Sequence, residues 1–444
     1  MNWILPTGKP INFGGLSQPI VIKHGLGSGT QGQVYEAHYC GEDVALKWYF
    51  PSCIERDPSL KQRLIESIRA TSPNESFLWP MALLYSNDKF LSMPQNSSSS
   101  FGYMMPLRPN GFIGVYEHLG SNLDISVQKI LCSCLNLSEA FHQLHLKGLC
   151  YKDISIGNLF FNPTNGHILI CDNDNVDIEG RDLGNVLGTP GFMAPEIIMR
   201  KAKPGSNSDL FSLAVLLFRL LTKHDPLKGL LELKIKCMDE PARRRLYGED
   251  PVYIFNPEDD RNRPDPIEHS AILSTWPIYP NIIKDLFNQT FSTGMNKPEL
   301  RALTGQWNKS IATTLNHRRT CTKCYQENFQ DPNFSYSCWA CGLKLETPII
   351  FKTPYASVVA CEYNELHIHH LDPTACISIK SPIAVVVGHP SDKSVLGIQN
   401  LSPYAWKVLS KKGDTIQLNP QKSCNLKILQ RLLTHAGPFE ILKN

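Results

Sequence analysis

The stretch from Tyr151 to Asp172, which reads YKDISIGNLFFNPTNGHILICD, constrains the fold of this chain more than any other. It places Asp153 and Asn158 on one tight loop, and Asp172 follows two short apolar strands that are separated by a turn at residues 163–166. A carboxylate on such a loop can accept or orient a substrate hydroxyl, while an amide and a second carboxylate can share magnesium ions that bridge nucleotide phosphates. The stretch therefore predicts a site for phosphoryl transfer.

A glycine-rich segment, VIKHGLGSGTQGQVY, lies closer to the start of the chain. Gly27, Gly29 and Gly32 have G-x-G-x-x-G spacing, and Val34 follows Gly32 by two residues. Glycines let the backbone fold closely over phosphates, and Val34 can cover an adenine ring. The same spacing opens a helix in dinucleotide-binding folds, but here the next residues continue as a strand up to a turn at Gly41. The segment therefore predicts a strand, a glycine loop and a second strand.

Several motifs together resemble those of eukaryotic-type serine/threonine protein kinases. The residues from Tyr151 to Asn158 resemble the catalytic loop of that family, and Asp172 resembles the aspartate of its DFG triplet. The sequence GTPGFMAPE at residues 188–196 resembles the G-T-x-x-Y-x-A-P-E element that closes the kinase activation segment. These motifs occur in kinase order, and the resemblance covers residues of roughly 20 to 310.

The resemblance implies ATP and Mg²⁺ as cofactors, and it implies that Lys47 and Glu66 together position the nucleotide phosphates. Lys47 ends the strand VALK and resembles the kinase lysine that pairs with nucleotide phosphates, while Glu66, on a predicted helix over residues 58–70, would orient it by an ion pair. A solvated strand end remains the alternative for Lys47, and a surface glutamate the alternative for Glu66. Glu55 is a competing candidate in a less helical context.

The same resemblance implies roles for the other motif residues. Asp153 would be the catalytic residue that accepts or orients the hydroxyl, and Asn158 and Asp172 would bind magnesium. Asp209 opens a buried helix and would tie down the backbone of the catalytic loop. The residues expected to bind ATP are Gly27, Gly29, Gly32, Val34, Ala45, Lys47, Met105, Asn158, Phe160 and Asp172, with residues 104–107 as the hinge beside the adenine.

The sequence departs from the family pattern in several places. The His-Arg-Asp triplet becomes Tyr-Lys-Asp, so that Lys152 replaces the arginine that usually reads an activation-loop phosphate, and residues 173–187 contain no Ser, Thr or Tyr. Activation by phosphorylation of that stretch is not expected. The DFG triplet becomes Asp-Asn-Asp, which leaves Asp174 as an alternative metal-binding carboxylate. Ser155 matches neither the serine/threonine nor the tyrosine kinase pattern, so the expected acceptor class depends mainly on the GTPGF segment.

Length and charge set limits on the remaining functions. A chain of 444 residues should hold two or three domains, and a formal charge of +3 is too small to indicate nucleic acid or a membrane as the main partner. Residues 1–15 have neither a basic start nor an apolar run, and the longest apolar stretch, residues 210–221, is short for a bilayer span. We therefore expect a cytoplasmic protein.

Four cysteines form two pairs with Cys-x2-Cys spacing, separated by 13 residues: Cys321, Cys324, Cys338 and Cys341. Two such pairs suit one tetrahedral Zn²⁺, and a site closed by four thiolates leaves no position for a substrate. We therefore predict structural zinc in a zinc-ribbon-like module. A disulfide needs an oxidising compartment that the rest of the chain argues against, and a redox or catalytic role is the weaker alternative.

The fold expected from these features is α+β, with a bilobal kinase-like domain of a β-rich N-lobe and a helical C-lobe. The predicted bounds are 1–17 for an N-terminal extension, 18–312 for the kinase domain, 318–345 for the four-cysteine zinc module and 346–444 for a small β-rich domain that binds a partner or regulates. His367, His369 and His370 in that last domain are interpreted as ordinary strand residues rather than a metal cluster.

This order of domains resembles bacterial kinases found with tellurium-resistance genes. That resemblance implies a metal-dependent protein phosphatase and a von Willebrand A-type protein as partners, besides a protein substrate. The main alternative to an active kinase is a pseudokinase scaffold that assembles partners through the zinc and β-rich modules. A small-molecule phosphotransferase on the same fold is a weaker alternative, because the APE segment argues against it.

Overall fold

The computed structural model describes residues 3–86, 100–120, 124–181, 187–332 and 336–443. These residues form two compact units. The first contains residues 1–123, 140–216 and 238–251, and the second contains residues 124–139, 217–237 and 252–444. Among the described helices, none combines the length and the apolarity needed to cross a bilayer.

A seven-stranded antiparallel sheet begins the first unit, in the order β1-β3-β4-β5-β7-β6-β2. Its strands are β1 (Pro10–Ile11), β2 (Phe13–Gly14), β3 (Ile20–Ser28), β4 (Gly32–Tyr39), β5 (Glu42–Tyr49), β6 (Ala82–Ser86) and β7 (Phe101–Pro106). β3 and β4 flank the glycine loop, and β4 turns into β5 at Gly41, whose φ of +89° suits glycine. The predicted succession of strand, glycine loop, strand, turn and strand is therefore confirmed.

Two helices follow β5 before the chain returns to the sheet: α1 (Pro51–Arg56) and α2 (Leu60–Ala70). The buried face of α2 consists of Leu60, Arg63, Leu64 and Ser67. Apolar spacing alone predicts a face on Leu60, Leu64, Ile65 and Ile68. The observed face is thus rotated towards a buried arginine, which matters for the site described below.

The chain from Ile113 to Thr222 carries the predicted catalytic loop and its supports. Its elements are β8 (Ile113–Gly114), α3 (Val115–Gly120), α4 (Val127–Leu146), β9 (Leu149–Cys150), β10 (Leu159–Phe161), β11 (Ile168–Ile170), β12 (Asp177–Ile178), α5 (Pro195–Ile198) and α6 (Ser206–Thr222). β10 pairs with β11 and with β8, and β9 pairs with β12. β10 and β11 are the two short strands predicted around the turn at residues 163–166, which is confirmed.

Short helices continue the chain: α7 (Leu230–Leu233), α8 (Glu240–Arg244), α9 (Ser270–Thr275), α10 (Asn281–Asn288), α11 (Gly294–Asn296) and α12 (Thr304–Asn316). Aromatic side chains fill the helical core of the second unit. The Phe218 ring lies 5.1 Å from that of Phe287, which in turn lies 4.7 Å from that of the fully buried Trp307. Offset and edge-on aromatic pairs of this kind bury much apolar surface.

β-strands dominate the second unit after α12. A hairpin of β13 (Arg319–Thr320) and β14 (Glu327–Asn328) leads into two antiparallel sheets. The strands of these sheets are β15 (Ile349–Lys352), β16 (Ser357–Val359), β17 (Glu365–Leu366), β18 (Ala384–His389), β19 (Asp392–Asn400), β20 (Trp406–Ser410), β21 (Thr415–Leu418), β22 (Ser423–Asn425), β23 (Leu429–Thr434) and β24 (Gly437–Lys443). A β-rich C-terminal region is therefore confirmed, whereas the domain bounds given above stay predictions.

Candidate active site

The loop between β9 and β10 is held by Asp209 in the first turn of α6. The backbone N–H groups of Tyr151 and Lys152 donate to the two oxygens of the Asp209 carboxylate, at 2.7 and 2.9 Å. Asp209 is almost fully buried, so these charge-assisted bonds form away from water. They support a loop in which Lys152 has a φ of +68°, a conformation that non-glycine residues rarely adopt. The expected tie between α6 and the loop is confirmed.

Asp153 is oriented by a residue from the GTPGF segment. The Thr189 hydroxyl donates to Oδ1 of Asp153 at 2.7 Å, and Nδ2 of Asn158 donates to the Asp153 carbonyl oxygen at 3.0 Å. Burial raises the pKa of the Asp153 carboxyl, and the charges of Asp172 and Asp174 raise it further. A carboxylate with a raised pKa and a fixed orientation is suited to accept a proton.

Asp172 follows β11 in a left-handed conformation with a φ of 54°. The N–H of Cys171 donates to the Asn158 carbonyl oxygen at 2.9 Å, which brings the two predicted magnesium ligands onto neighbouring backbone segments. Asn173 takes the place of the family's aromatic residue and is fully buried, with its amide donating to the carbonyl oxygens of Leu78 and Ile170. A pair of hydrogen bonds thus fixes the residue after Asp172 where the family uses an apolar side chain.

Lys47 lies in the same site, buried and surrounded by acceptors. Its Nζ donates to Oδ2 of Asp174 at 2.8 Å, to Oδ1 of Asp172 at 3.1 Å and to Oε1 of Gln31 at 2.8 Å. Burial alone would lower the pKa of Lys47, but the carboxylates of Asp174 and Asp172 outweigh it and hold the pKa above its usual value. Lys47 is therefore a buried cation and not the solvated strand end of the alternative interpretation.

The structure corrects the predicted partner of Glu66. Its carboxylate forms an ion pair with Arg181 and accepts from Gln62 Nε2 at 2.7 Å, while Lys47 pairs with two aspartates. The physical reason is the rotation of α2, whose buried face is centred near Arg63 and leaves Glu66 at its side. Glu55, the competing candidate, is exposed on α1.

Four of the residues predicted to bind ATP belong to one apolar cluster. Ala45 and Met105 are buried in it and face each other across β5 and β7, and Val34 and Phe160 pack against it half-exposed. The guanidinium of Arg108 lies over the Phe160 ring at 4.2 Å. Partly exposed apolar side chains beside Lys47 suit a flat aromatic ligand. The role of these residues in ATP binding stays a prediction.

The three glycines of the loop differ in what surrounds them. A Cβ added to Gly32 would lie 2.2 Å from the backbone oxygen of Trp48, whereas one added to Gly27 or Gly29 would have no atom within 4 Å. Gly32 is therefore required by the packing of β4 on β5. The open space at Gly27 and Gly29 is available to a ligand.

This difference predicts two kinds of alanine variant. Gly32→Ala should lower the free energy of unfolding by about 2 kcal/mol, because β4 must shift. Gly27→Ala and Gly29→Ala should keep the melting temperature of the wild type and weaken binding of an ATP analogue. Thermal denaturation and fluorescence titration measure the two effects, and a loss of stability in all three variants would contradict the distinction.

Sequence reasoning missed Tyr49 and Gln31, and considered Asp174 only as a metal ligand. Tyr49 donates a hydrogen bond to Oδ2 of Asp174. Since side chains alternate along a strand, Lys47 and Tyr49 share one face of β5, and this pattern could have revealed the tyrosine. Nothing local predicts that the loop residue Gln31 reaches Lys47, because the folding of the glycine loop decides it.

The four predicted cysteines come together in the second unit. Their Sγ atoms all lie within 4.8 Å of one another, with 3.7 Å between Cys321 and Cys341 and 3.6 Å between Cys324 and Cys338. Four thiolates bound to one Zn²⁺ at about 2.3 Å would stand about 3.8 Å apart, so the donor set fits a tetrahedral ion. The convergence of the cysteines is confirmed, and the identity of the metal stays a prediction.

Residues 20–271 match the family described as protein kinase domain. The match covers more than half of the 444 residues, and the chain belongs to the protein kinase family. Membership confirms the predicted eukaryotic-type kinase domain, and it implies the bilobal kinase fold and, in general, the use of ATP and Mg²⁺.

The chain is similar to several curated kinases. G protein-coupled receptor kinase 2 of Caenorhabditis elegans is 22% identical over 213 residues, which are 46% of this chain and 28% of that protein. CBL-interacting protein kinase 4 of Oryza sativa subsp. japonica is 30% identical over 129 residues, 28% of this chain and 27% of that protein. Ribosomal protein S6 kinase alpha-4 of Mus musculus is 35% identical over 111 residues, 24% of this chain and 14% of that protein.

These relatives support the prediction of a protein serine/threonine kinase. The chain spans less than a third of the length of each of them. Each match covers less than half of this chain.

Proposed function

We propose that this chain transfers the γ-phosphate of Mg-ATP to serine or threonine hydroxyls of a protein substrate. The observation that carries the proposal is the carboxylate of Asp153, oriented by Thr189 within the same unit that contains the Lys47 and Asp172 pair. A binding module has no need for an oriented base beside a buried cation and a metal-binding carboxylate.

The residues divide the reaction among them. Lys47 would hold the phosphates, and Asp153 would take the proton of the attacking hydroxyl. The oxygen of that substrate hydroxyl would form a bond to the γ-phosphorus while the bond between the γ-phosphorus and ADP breaks. Thr189 fixes the direction of the Asp153 carboxylate, so that little reorientation is needed in the transition state.

Asn158 and Asp172 are the residues that would hold Mg²⁺. The Asn158 amide nitrogen already donates to Asp153, which leaves the carbonyl oxygen of the amide as the atom offered to a metal, and the Asp172 side chain is 41% exposed. Oxygen donors of this kind suit Mg²⁺, which would neutralise the charge that develops on the phosphates.

Phosphorylation of residues 173–187 is not part of the proposed activation. Lys152 donates to Oδ2 of Asp177 at 2.8 Å and to the Arg181 carbonyl oxygen at 3.4 Å. The Asp177 side chain is 1% exposed, so its ion pair with Lys152 is buried. The Asp177 carboxylate thus takes the position in which a phosphate would otherwise pair with Lys152. Residues 182–186 of this stretch lie outside the described residues.

Transfer of labelled phosphate from ATP tests the proposal. Purified chain with Mg²⁺ should label a generic acceptor protein on serine or threonine, and Asp172→Asn should lower the rate by about 100-fold because one magnesium ligand loses its charge. Phosphoamino-acid analysis gives the acceptor class. If the wild type binds ATP yet transfers nothing, the chain is a pseudokinase scaffold instead.

We further propose that Cys321, Cys324, Cys338 and Cys341 hold one structural Zn²⁺. Support comes from the close approach of the four sulfur atoms and from the small apolar core around them. The ion would supply only cross-linking of the two pairs, since four thiolates fill its coordination.

The partners proposed for the chain follow from the resemblance to kinases of tellurium-resistance systems alone. They are a metal-dependent protein phosphatase and a von Willebrand A-type protein, in a bacterial cytoplasm. Co-purification of either protein with the full chain from its own host would support this proposal, and isolation with unrelated proteins would exclude it.

A further inference from the structure

Lys47 and Tyr49 meet at one oxygen of Asp174. Lys47 Nζ donates to Oδ2 of Asp174 at 2.8 Å, and the Tyr49 hydroxyl donates to the same atom. Both residues belong to β5 and, being two positions apart, face the same side of the strand. Lys47, Tyr49 and Asp174 are each no more than 4% exposed. The hydrogen bonds from the Lys47 ammonium and the Tyr49 hydroxyl to the Asp174 carboxylate are therefore shielded from water.

The two aspartates beside Lys47 differ in burial. The Asp174 side chain is fully buried, whereas that of Asp172 is 41% exposed and free to meet a ligand. A buried charge-assisted bond has a fixed geometry, while an exposed one is weakened by water. Of the two aspartates, Asp174 therefore constrains the position of the Lys47 ammonium more strongly. The burial of the Asp174 side chain also argues against this residue as the metal ligand.

Helix α2 supports Asp174 through an arginine. Arg63 Nε donates to the Asp174 carbonyl oxygen at 3.4 Å, and the Arg63 guanidinium binds both oxygens of Asp57, at 2.6 and 3.1 Å. Arg63 is 2% exposed. The helix thus contributes a cation that holds the backbone of Asp174, and the acid expected from it, Glu66, pairs with Arg181.

We propose that Asp174 is the positioning residue for Lys47, and that it replaces the helix glutamate in aligning the ammonium with the nucleotide phosphates. Tyr49 holds the Asp174 carboxylate, and Arg63 holds the Asp174 carbonyl oxygen. The inference rests on the proposed function in one respect, because Lys47 is taken to hold the phosphates of ATP.

Two amide substitutions separate the candidates. Asp174→Asn and Glu66→Gln each remove one negative charge with almost no change in volume. We expect Asp174→Asn to lower kcat/KM for ATP by about 100-fold, since a displaced ammonium no longer meets the phosphates, and Glu66→Gln to stay within about threefold of the wild type. The reverse order would overturn the proposal.

A cycle with Lys47→Met tests whether Asp174 acts through the lysine. The dissociation constant of a fluorescent ATP analogue with Mg²⁺ should rise in Asp174→Asn, and in the Lys47→Met background the same change should add less than about a twofold further rise. Independent, multiplicative effects would show that Asp174 acts otherwise. This cycle measures only binding. If the wild type binds ATP without transferring phosphate, the proposed activity is refuted, but the cycle still shows whether Asp174 acts through Lys47.

Tyr49→Phe covers the case in which Asp174→Asn does not fold. The phenylalanine keeps the packing of β5 and removes one of the two bonds to Oδ2 of Asp174. We expect the melting temperature to show a folded protein and the dissociation constant for the ATP analogue to rise about five-fold. A folded Tyr49→Phe with the affinity of the wild type would overturn the proposal.

Discussion

Asp153→Asn is expected to lower kcat by about 1000-fold and to leave the dissociation constant of ATP within about threefold. The amide has the shape of the carboxylate, and its oxygen can still accept the Thr189 hydrogen bond. The bond from Asn158 goes to the backbone of Asp153 and is unaffected. The substitution therefore removes the proton acceptor while the loop keeps its structure, and rapid-mixing kinetics with labelled ATP measure the loss.

The pH profile gives a second test of Asp153. A base acts only when it is deprotonated, so activity falls as the pH falls through its pKa. Because burial raises the pKa of Asp153 above the usual 3.8, the acid side of the profile should begin at a higher pH than for an exposed aspartate. The residual activity of Asp153→Asn should lack this acid limb.

Thr189→Val provides the matched control for Asp153→Asn. Valine has the shape of threonine but donates nothing, so the carboxylate remains and loses its orientation. We expect an intermediate loss, about ten-fold in kcat. If Asp153→Asn kept more than a tenth of the wild-type kcat, the carboxylate would not be the base.

Short-range patterns predicted much of the fold around this site. The strands on both sides of residues 163–166 and the glycine loop between β3 and β4 follow from residue types at fixed spacing. The tie from Asp209 to a loop 58 positions away was expected only from the resemblance to protein kinases. Strands and turns of this kind depend on residue alternation and on turn residues, which act over a few positions. The family itself was predictable for the same reason.

The partner of Lys47 was beyond this kind of reasoning. Lys47 and Asp174 are 127 positions apart, and their contact depends on how α2 and the segment after β11 pack against the sheet. Apolar spacing places Ile65 and Ile68 on the buried face of α2, but the observed face buries Arg63, whose ion pair with Asp57 offsets part of the cost of removing the charge from water. A buried charge with a partner overrides the apolar pattern.

The cysteine module is expected to unfold when its metal is removed. Its core consists of the buried residues Cys321, Cys338 and Leu345, with four more side chains packed against them, of which two are Cys324 and Cys341. So small an apolar core cannot offset the entropy of ordering the chain, whereas structural zinc contributes about 10 kcal/mol or more. The wild type should contain one zinc per chain by metal analysis, and a strong chelator should release it.

Cys324→Ser is expected to abolish zinc binding and to expose the chain near residues 318–345 to proteolysis. Cys237→Ser and Cys376→Ser are the matched controls, because both cysteines are exposed and lie outside the cluster. They should keep one zinc per chain and the proteolytic pattern of the wild type. A module that resists trypsin equally before and after removal of zinc would show that the metal is not structural.

Loss of zinc should also destabilise the start of the β-rich region, because Arg318 connects that region to the cysteine module. This buried arginine binds Glu327 Oε1 at 2.5 Å in β14, and it donates to the Glu362 carbonyl oxygen at 2.8 Å and to Asn364 Oδ1 at 3.1 Å. When β14 is no longer held by the module, Arg318 loses its counter-ion, and a buried charge without a partner is costly. Amide hydrogen exchange should therefore accelerate at residues 361–364 in Cys324→Ser, while β20, β23 and β24, which pair with one another and pack on their own core, should stay protected.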